Sequence, residues 1–295
     1  METKFAKITE IARQKKKERF TSLVHLINAE SLTESHKAMK VGKAVGVDKT
    51  TKEEYGENLE ENIARLLERM KKQAYKPQPA RRVYIPKAGK GTLRPLGIPA
   101  YEDKLVQKAI APILNAIYEA DFLDSSYGFR PERGCHDALK MLGKIIETRP
   151  VNYVVEADIK GFFDHVDHDW MMKFLEHRIA DNNLLRLIKR FLKAGIMEAG
   201  IKYDTPEGTP QGGVISPILA NIYLHYSLDL WFEKIFSPQC VGKAYLVRYA
   251  DDFMVCFECK QDAEAFMTAL RERLAKFNLE LAEKKTRIIR FGRYA

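Results

Sequence analysis

The 295-residue chain carries 49 lysines and arginines against 40 aspartates and glutamates, a formal charge of +9, with 45% hydrophobic and 30% charged residues. That length exceeds the usual size of one hydrophobic core and points to about two domains, or one large domain with lobes. The composition excludes disorder and collagen; no run approaches about 18 uninterrupted apolar residues, and the N-terminus METKFAKITEIARQKKKERF lacks the apolar core of a secretory signal. A cytoplasmic protein with no membrane partner is expected. The 4 cysteines, Cys135, Cys240, Cys256 and Cys259, are too few and too scattered for a disulfide framework. Cys256 and Cys259 form a CxxC that no second pair completes into a zinc site, and both are read as strand residues.

The first stretch, roughly 70 residues, reads as helical: FAKITEIARQ and FTSLVHLINAE space apolar residues about every 3.6 positions, and ENLEENIARLLERMKKQAY does so more strongly. Lys4, Lys7, Arg13, Lys15, Lys16, Lys17 and Arg19 make the first helix basic, which suits either an RNA-facing surface or a solvated face. Residues 71–94 then hold eight basic side chains (Lys71, Lys72, Lys76, Arg81, Arg82, Lys87, Lys90, Arg94) and no acidic one. They alternate with Val83, Tyr84 and Ile85 around a GKG tip at 89–91, the pattern of a β-hairpin, which favours a polyanion site over a merely solvated face. YEDKLVQKAIAPILNAIYEADF follows as a helix with Leu105, Ala109, Ile113 and Ile117 on one stripe and Pro112 inside it. The β-rich run from Tyr153 to Val155 delivers Asp158 near a strand end. Residues 168–195 read as two helices broken near 181–183, and GTPQGGVISPILANIYLHYSLDLWFEKIF as a Gly/Pro turn leading into a long helix. The tail reads as a hairpin around Asp251 and Asp252, a helix over 262–277 and a final strand pair over 279–291. The order describes an α+β fold, not a repeating βαβ wind.

Asp158, Asp251 and Asp252 each end or interrupt an apolar β segment. A buried ionised carboxylate costs several kcal/mol unless it is paired or bound to a cation, so a positive charge is expected beside them. Antiparallel pairing would gather the three at one end of a small sheet. Mg²⁺ takes hard oxygen ligands, often one or two carboxylates plus substrate phosphates, and two such ions can activate an attacking hydroxyl and stabilise a leaving oxygen. One Asp on a strand and a pair on another is by itself only moderately specific.

The words around these aspartates narrow the reading. YADD at 249–252 resembles the catalytic box of reverse transcriptases, DIKGFFD at 158–164 their first metal-binding motif, and TPQGGVISPILANIYL at 209–224 their Gln-Gly box. With RRVYIPKAGKGTLRPLGIP, YGFRPERGCHDAL and EKKTRIIRFGRYA, these form an ordered set running from about residue 45 to the end, similar to the group II intron-encoded reverse transcriptase and maturase family.

The resemblance implies a right-hand polymerase fingers-palm (reverse transcriptase) fold with a helical N-terminal extension. It partitions the chain as extension and fingers over 1–100, first palm segment over 101–168, returning fingers helices over 169–205 and catalytic palm over 206–295. Family members continue into a thumb; this chain ends at GRYA, so fingers and palm alone are expected, with self-association as a homodimer left open, through the uncovered surface or through a genuine interface. Asp158 and Asp251 become the principal metal ligands, the carbonyl of Ile159 a further one and Asp252 the third acidic residue, for two Mg²⁺ ions with Mn²⁺ as a substitute. Phe163 matches the ring under the nucleotide sugar and Phe162 its packing neighbour, unless both are ordinary core rings. Lys87 and Arg94 would hold the triphosphate, and Gln211 and Gly212 approach the nucleotide from the far side. Lys285, or Lys284 one position away, would face the pyrophosphate. Arg81 and Arg82 would meet triphosphate or template phosphates; Arg130 would line the template groove or close a loop salt bridge; Lys15, Lys16 and Lys17 would meet RNA. His136, His165 and His168 lack metal-ligand spacing and read as structural or solvated. The implied activity is RNA-directed DNA synthesis from dNTPs on an RNA template with a DNA primer. The implied partner is group II intron RNA, bound to assist splicing and mobility. The alternative is an RNA-binding maturase module with little polymerase activity.

Overall fold

The computed structural model describes residues 2–86, 93–209 and 212–292. In chain order the elements are helices α1 (Glu2–Gln14), α2 (Ala29–Lys37), α3 (Lys52–Glu57) and α4 (Leu59–Lys71), strands β1 (Ala80–Pro86) and β2 (Leu93–Ile98), α5 (Tyr101–Tyr118), β3 (Ser126–Tyr127), α6 (Cys135–Thr148) and β4 (Tyr153–Ala157). Then come α7 (His168–Glu176), α8 (Asn182–Leu192), β5 (Ile196–Glu198), β6 (Ile201–Tyr203), α9 (Ser216–Leu224), β7 (Ala244–Tyr249), β8 (Asp252–Phe257), α10 (Lys260–Ala275) and β9 (Arg287–Arg290). They divide between two units: Met1–Asp121 with Leu175–Ser216, and Phe122–Phe174 with Pro217–Ala295.

The first unit holds a sheet of order β2-β1-β5-β6, in which the basic hairpin of β1 and β2 pairs in parallel with β5. The expected helix over FTSLVHLINAE does not form as one piece. Phe20 bridges Ile179, Val24–Leu26 is a short 3₁₀ turn, and α2 starts only after Asn28, whose side chain accepts from the Ser31 N–H at 3.0 Å. The cause lies 158 residues on: the Asp181 carboxylate takes the N–H groups of Leu23 and Val24 at 2.7 and 2.8 Å. Burial works against that charge, but backbone N–H donors from Leu23, Val24, Leu184 and Asn183 outweigh it and hold the Asp181 pKa below the usual carboxylate value. Two of those donors begin α8, so one side chain both caps a helix and unwinds a distant one.

The second unit holds a sheet of order β3-β7-β8-β4-β9, antiparallel except for the β3–β7 pair. On one face Val154, Val247 and Cys256 pack under Ala138 and Ile145 of α6. On the other, α10 lies against β4 and β8, with the rings of Phe257 and Phe266 at 5.4 Å. Helix α6 was not foreseen, although Ala138, Met141, Leu142 and Ile145 recur at helical spacing behind Asp137, which accepts the Gly134 N–H at 2.7 Å. Residues 196–203, expected within the returning helices of 169–205, form the β5–β6 hairpin instead, its strands being only three residues each. The tail forms one strand rather than two: residues 279–286 make a single bridge, Leu281 to Ile159, and a 3₁₀ turn at Glu283–Lys285 before β9 pairs with β4. Cys256 lies in β8 as expected, while Cys259 is the N-cap residue of α10 and not a strand residue.

Candidate active site

The register of the second unit's sheet gathers the predicted carboxylates. Ala157 of β4 faces Phe253 of β8, so the next pair along sets Asp158 across from Asp252. On the other side of β4, Glu156 faces Arg287 of β9, and just before that pair lies the Glu283–Lys285 turn, from which the Lys285 side chain reaches Asp158. Its ammonium indeed bonds to the Asp158 carboxylate. That hydrogen bond raises the Lys285 pKa, with burial opposing it and the negative charges of Asp158, Asp252 and Asp251 adding to it. Lys285, and not Lys284, makes the contact. Along the face that α6 covers, burial falls from Val154 and Cys256 through half-buried Glu156 and Met254 to exposed Asp252, so the carboxylate end of the sheet is open.

Asp251 and Asp252 are not equivalent. Tyr249 pairs with Asp252, which leaves Ala250 and Asp251 as a two-residue turn, and Asp252 opens β8 instead of sitting in the turn as expected. Ala250 holds φ at +56°, a left-handed conformation unfavourable for a residue with a Cβ and kept only where the surroundings enforce it. The enforcing group is Arg248, which is fully buried. Its Nε and Nη2 donate to the two oxygens of Asp229 at 2.7 and 2.6 Å, and its Nη1 donates to Asn221 Oδ1 at 3.0 Å and to the Ala250 carbonyl at 2.7 Å. Nη2 also donates to Ser126 Oγ at 2.6 Å. The Ala250 N–H donates to the Tyr127 carbonyl at 3.1 Å, and a Cβ on Gly128 would stand 2.7 Å from the Ala250 nitrogen, so only glycine lets that loop reach the turn. Sequence reasoning missed this support. The signal was present in LVRYADD: an arginine in an apolar strand demands a buried partner just as the aspartates do.

The Ala282 N–H donates to the Asp158 carbonyl at 2.8 Å and the Lys160 N–H to the Glu280 carbonyl at 2.9 Å, which pins the backbone on both sides of Ile159. Gly161 turns at φ +54° into a 3₁₀ turn, Phe162–Asp164. Phe162 is 2% exposed and packs edge-on against Tyr223, whereas Phe163 is half-buried with its ring edge-on to Phe162. The two rings therefore differ as core and rim.

Other candidates lie apart from this cluster. Lys87 and Gln211 fall outside the described residues. Arg94 is exposed on β2 opposite Ile85. Gly212 sits at φ +106°, where a Cβ would meet the Gly97 carbonyl at 2.7 Å, so its glycine is required by packing on β2. Arg81 donates twice to the Val45 carbonyl, at 2.9 and 2.6 Å, and Arg82 lies 3.6 Å from Glu198. Arg130 is buried, donating to the carbonyls of Leu123 and Ser126 at 2.8 and 2.6 Å and stacking over Phe122; its guanidinium braces the loop before β3. Helix α1 ends at Gln14, so Lys15, Lys16 and Lys17 follow it instead of extending it, and Lys16 bonds to the Ala120 carbonyl beside Asp121. His168 is buried and His165 half-buried, while His136 lies exposed in the first turn of α6.

Among the described residues no three His, Cys, Asp or Glu side chains converge closely enough to hold a metal ion by themselves. The donor chemistry nonetheless fits a hard divalent cation: carboxylates and a carbonyl at an open sheet end, already facing one positive charge. No helix among the described residues is long and apolar enough to cross a membrane.

An α+β arrangement with carboxylates on a hairpin at the open end of an antiparallel sheet is the fingers-palm fold of template-directed polymerases. Residues 85–293 match the family described as reverse transcriptase (RNA-dependent DNA polymerase), and the chain belongs to that family. It is 40% identical over 235 residues to the group II intron-encoded protein LtrA of Lactococcus lactis, covering 78% of this chain and 38% of that protein. It is 45% identical over 174 residues to protein YkfC of Escherichia coli, covering 58% of this chain and 44% of the relative. The chain thus spans about two-fifths of the length of these relatives. Among solved structures, telomerase from Candida albicans in complex with a fragment of telomeric RNA superposes with a TM-score of 0.56 at 15% identity, over 81% of this chain and 46% of that one. Apo telomerase from Candida tropicalis gives 0.53 at 16% identity, over 79% and 56%. These two support the reverse transcriptase fold alone. The family generally uses divalent metal ions, and its members bind a nucleic-acid template and primer.

Proposed function

We propose that this chain is the polymerising core of a group II intron-encoded reverse transcriptase, extending a DNA primer on intron RNA, with the first unit serving as fingers and the second as palm. The observation that carries the reading is the Lys285 ammonium on the Asp158 carboxylate at the sheet end where Asp252 opens β8 directly after the Ala250–Asp251 turn. Asp158, Asp251 and the Ile159 carbonyl would hold Mg²⁺, with Mn²⁺ as a substitute. Two such ions would supply Lewis-acid activation of the primer hydroxyl and stabilisation of the leaving oxygen. The protein's own residues do the rest. Asp252 adds negative charge at the primer side, and Phe163 offers a ring face beneath the sugar that excludes a 2′-hydroxyl sterically. The Lys285 ammonium, held protonated by its carboxylate neighbours, is placed to neutralise charge on the departing pyrophosphate. Lys87, Arg94 and Gln211 would contact the incoming dNTP, and Lys15, Lys17 and Arg82 the RNA phosphates.

Primer extension on an RNA template with dNTPs tests the reading. Asp251→Asn is expected to abolish incorporation while RNA affinity, read by filter binding, stays within about twofold, since a single carboxylate at the open end adds nothing to phosphate contacts. Incorporation retained by this variant would sink the metal assignment. The 71–94 basic stretch favours a second role, clamping of intron RNA for splicing; tight RNA binding without any extension by the wild-type chain would leave only that role.

A further inference from the structure

The first unit contains a cavity of about 550 Å³ that the polymerase reading does not use. Buried Ile27 and Leu187, with half-buried Leu67 and Met70, give it an apolar floor drawn from three separate segments. Lys71, Arg186 and Arg190 stand at its wall, no carboxylate lines it, and among the described residues none of the three forms an ion pair. Helix α8 carries Arg186, Lys189 and Arg190 and no acidic residue, so Arg186 and Arg190, four positions apart, repel each other with nothing on their own helix to offset it. Both guanidiniums are nonetheless held in place. Arg190 donates to the Tyr75 carbonyl at 2.7 Å, and Arg186 donates to the Gln73 side chain, whose amide donates in turn to Asn183 at 3.2 Å. A guanidinium has five N–H donors, so each arginine keeps several beyond its bracing bond. The groove next to the cavity shares Ala29, Leu67 and Lys71 with it but is lined by Glu30, Glu34, Glu60 and Glu68 against Lys37 and Lys71.

We infer that this cavity binds a small, soluble, amphipathic phosphate monoester, its apolar body on Ile27, Leu67, Met70 and Leu187 and its phosphate on Arg186 and Arg190. The volume falls within the range of about 300–1,000 Å³ typical of ligand pockets. Inorganic phosphate would satisfy the guanidiniums but leave the apolar floor facing water, and a neutral apolar molecule would cover the floor but leave the charges unanswered. A molecule with both parts answers both. A phosphate dianion suits the wall better than a carboxylate, because each planar guanidinium can meet two phosphate oxygens at once and Lys71 adds a third positive charge. A nucleic-acid strand is the wrong occupant: past Lys71 its phosphates would run into the four glutamates of the neighbouring groove, whereas a single head group stops at the wall. None of these residues takes part in the proposed polymerisation, so binding stands or falls independently of it.

The test is fluorescence anisotropy of naphthyl phosphate, itself the fluorophore, titrated with the whole chain. Saturable one-to-one binding is expected, with inorganic phosphate and neutral naphthalenemethanol each displacing the probe at least about tenfold less well than unlabelled alkyl phosphate of similar size does. Arg186→Gln with Arg190→Gln is expected to weaken binding about tenfold, since charge-assisted contacts are lost, and Met70→Gln, which leaves every charge in place, about fivefold. No saturable binding by the folded wild-type chain would overturn the inference. So would equal displacement by inorganic phosphate, which reduces the region to a charged surface, equal displacement by the neutral analogue, or unaltered affinity in Met70→Gln. Full displacement by a short unstructured RNA would give the cavity to nucleic acid instead, and flotation of the chain with phosphatidate vesicles that Met70→Gln abolishes would give it to a membrane lipid; either result overturns the soluble ester. Circular dichroism melts confirm that the variants fold. The wild-type competition series needs no variant, so it decides the matter even where Arg190→Gln loosens the Tyr75 segment.

Discussion

Arg248 and Asp229 form a fully buried pair whose removal should separate folding from catalysis. All five guanidinium bonds of Arg248 are internal, two of them to Asp229 and one to the carbonyl of the strained Ala250. Replacing either partner alone, by Arg248→Met or Asp229→Leu, strands a buried charge and should lower stability by about 3–5 kcal/mol. With a urea m-value of about 3 kcal/mol/M, the midpoint falls by about 1–1.7 M. The double variant removes both charges and should recover about 2 kcal/mol or more relative to the weaker single variant, while remaining below wild type because the Ala250 carbonyl and Asn221 lose their donor at about 1–3 kcal/mol each. Both tryptophans, Trp170 and Trp231, lie in the second unit, so fluorescence-monitored urea unfolding reports on the pair's own surroundings. Catalysis should not recover with stability. Without the guanidinium the turn carrying Asp251 shifts, and a misplacement near 1 Å costs about 10²-fold in rate. Primer extension by the double variant should stay depressed to that degree at temperatures where it is fully folded. Wild-type extension in a folded double variant would refute the positioning argument, and strictly additive single effects would refute the coupling.

The two phenylalanines of FFD should separate cleanly. Phe162→Ala should destabilise by about 3–5 kcal/mol as a core truncation, while Phe163→Ala should change stability by less than about 1 kcal/mol and admit ribonucleotides; undiminished sugar discrimination in Phe163→Ala would move the gate elsewhere. His225 is buried, and its Nδ1 finds no hydrogen-bond partner among the described residues. Burial pushes its pKa down to about 4, only partly opposed by Asp229, so the folded state keeps it neutral while the unfolded chain protonates it near 6.5. Stability of the second unit should therefore fall as pH drops below about 6.5 and level off near 4. His225→Phe, read by the same tryptophan-monitored unfolding, should flatten that slope; an unchanged slope would assign it to other groups.

Much of the site was legible because its chemistry is written in short contiguous words. YADD, DIKGFFD and EKKT each place candidate site residues within a turn of a strand end, and alternation of apolar residues marked the strands that carry them. What failed was non-local. Nothing near Phe20 says that Asp181 will draw off the N–H groups of Leu23 and Val24, so an apolar helical rhythm was read where a 3₁₀ turn stands. The three-residue β5 and β6 are too short for any period to show, and they exist as strands because β1 offers a free edge. Arg130, which the resemblance set in the template groove or in a loop salt bridge, is buried beside Phe122 and donates to the Leu123 and Ser126 carbonyls.

By itself, then, the sequence determined the family and the α+β class and nominated the three carboxylates, since these depend on residue type and near spacing. Only the tertiary structure decided which lysine faces Asp158, which phenylalanine is rim and which core, and what keeps Ala250 in a left-handed turn. Those answers come from strand register and from the burial of Arg248 among Asp229, Asn221 and Ser126, residues between 19 and 122 positions away. A buried guanidinium takes whatever acceptors the folded chain brings to it, and no local window of sequence contains them.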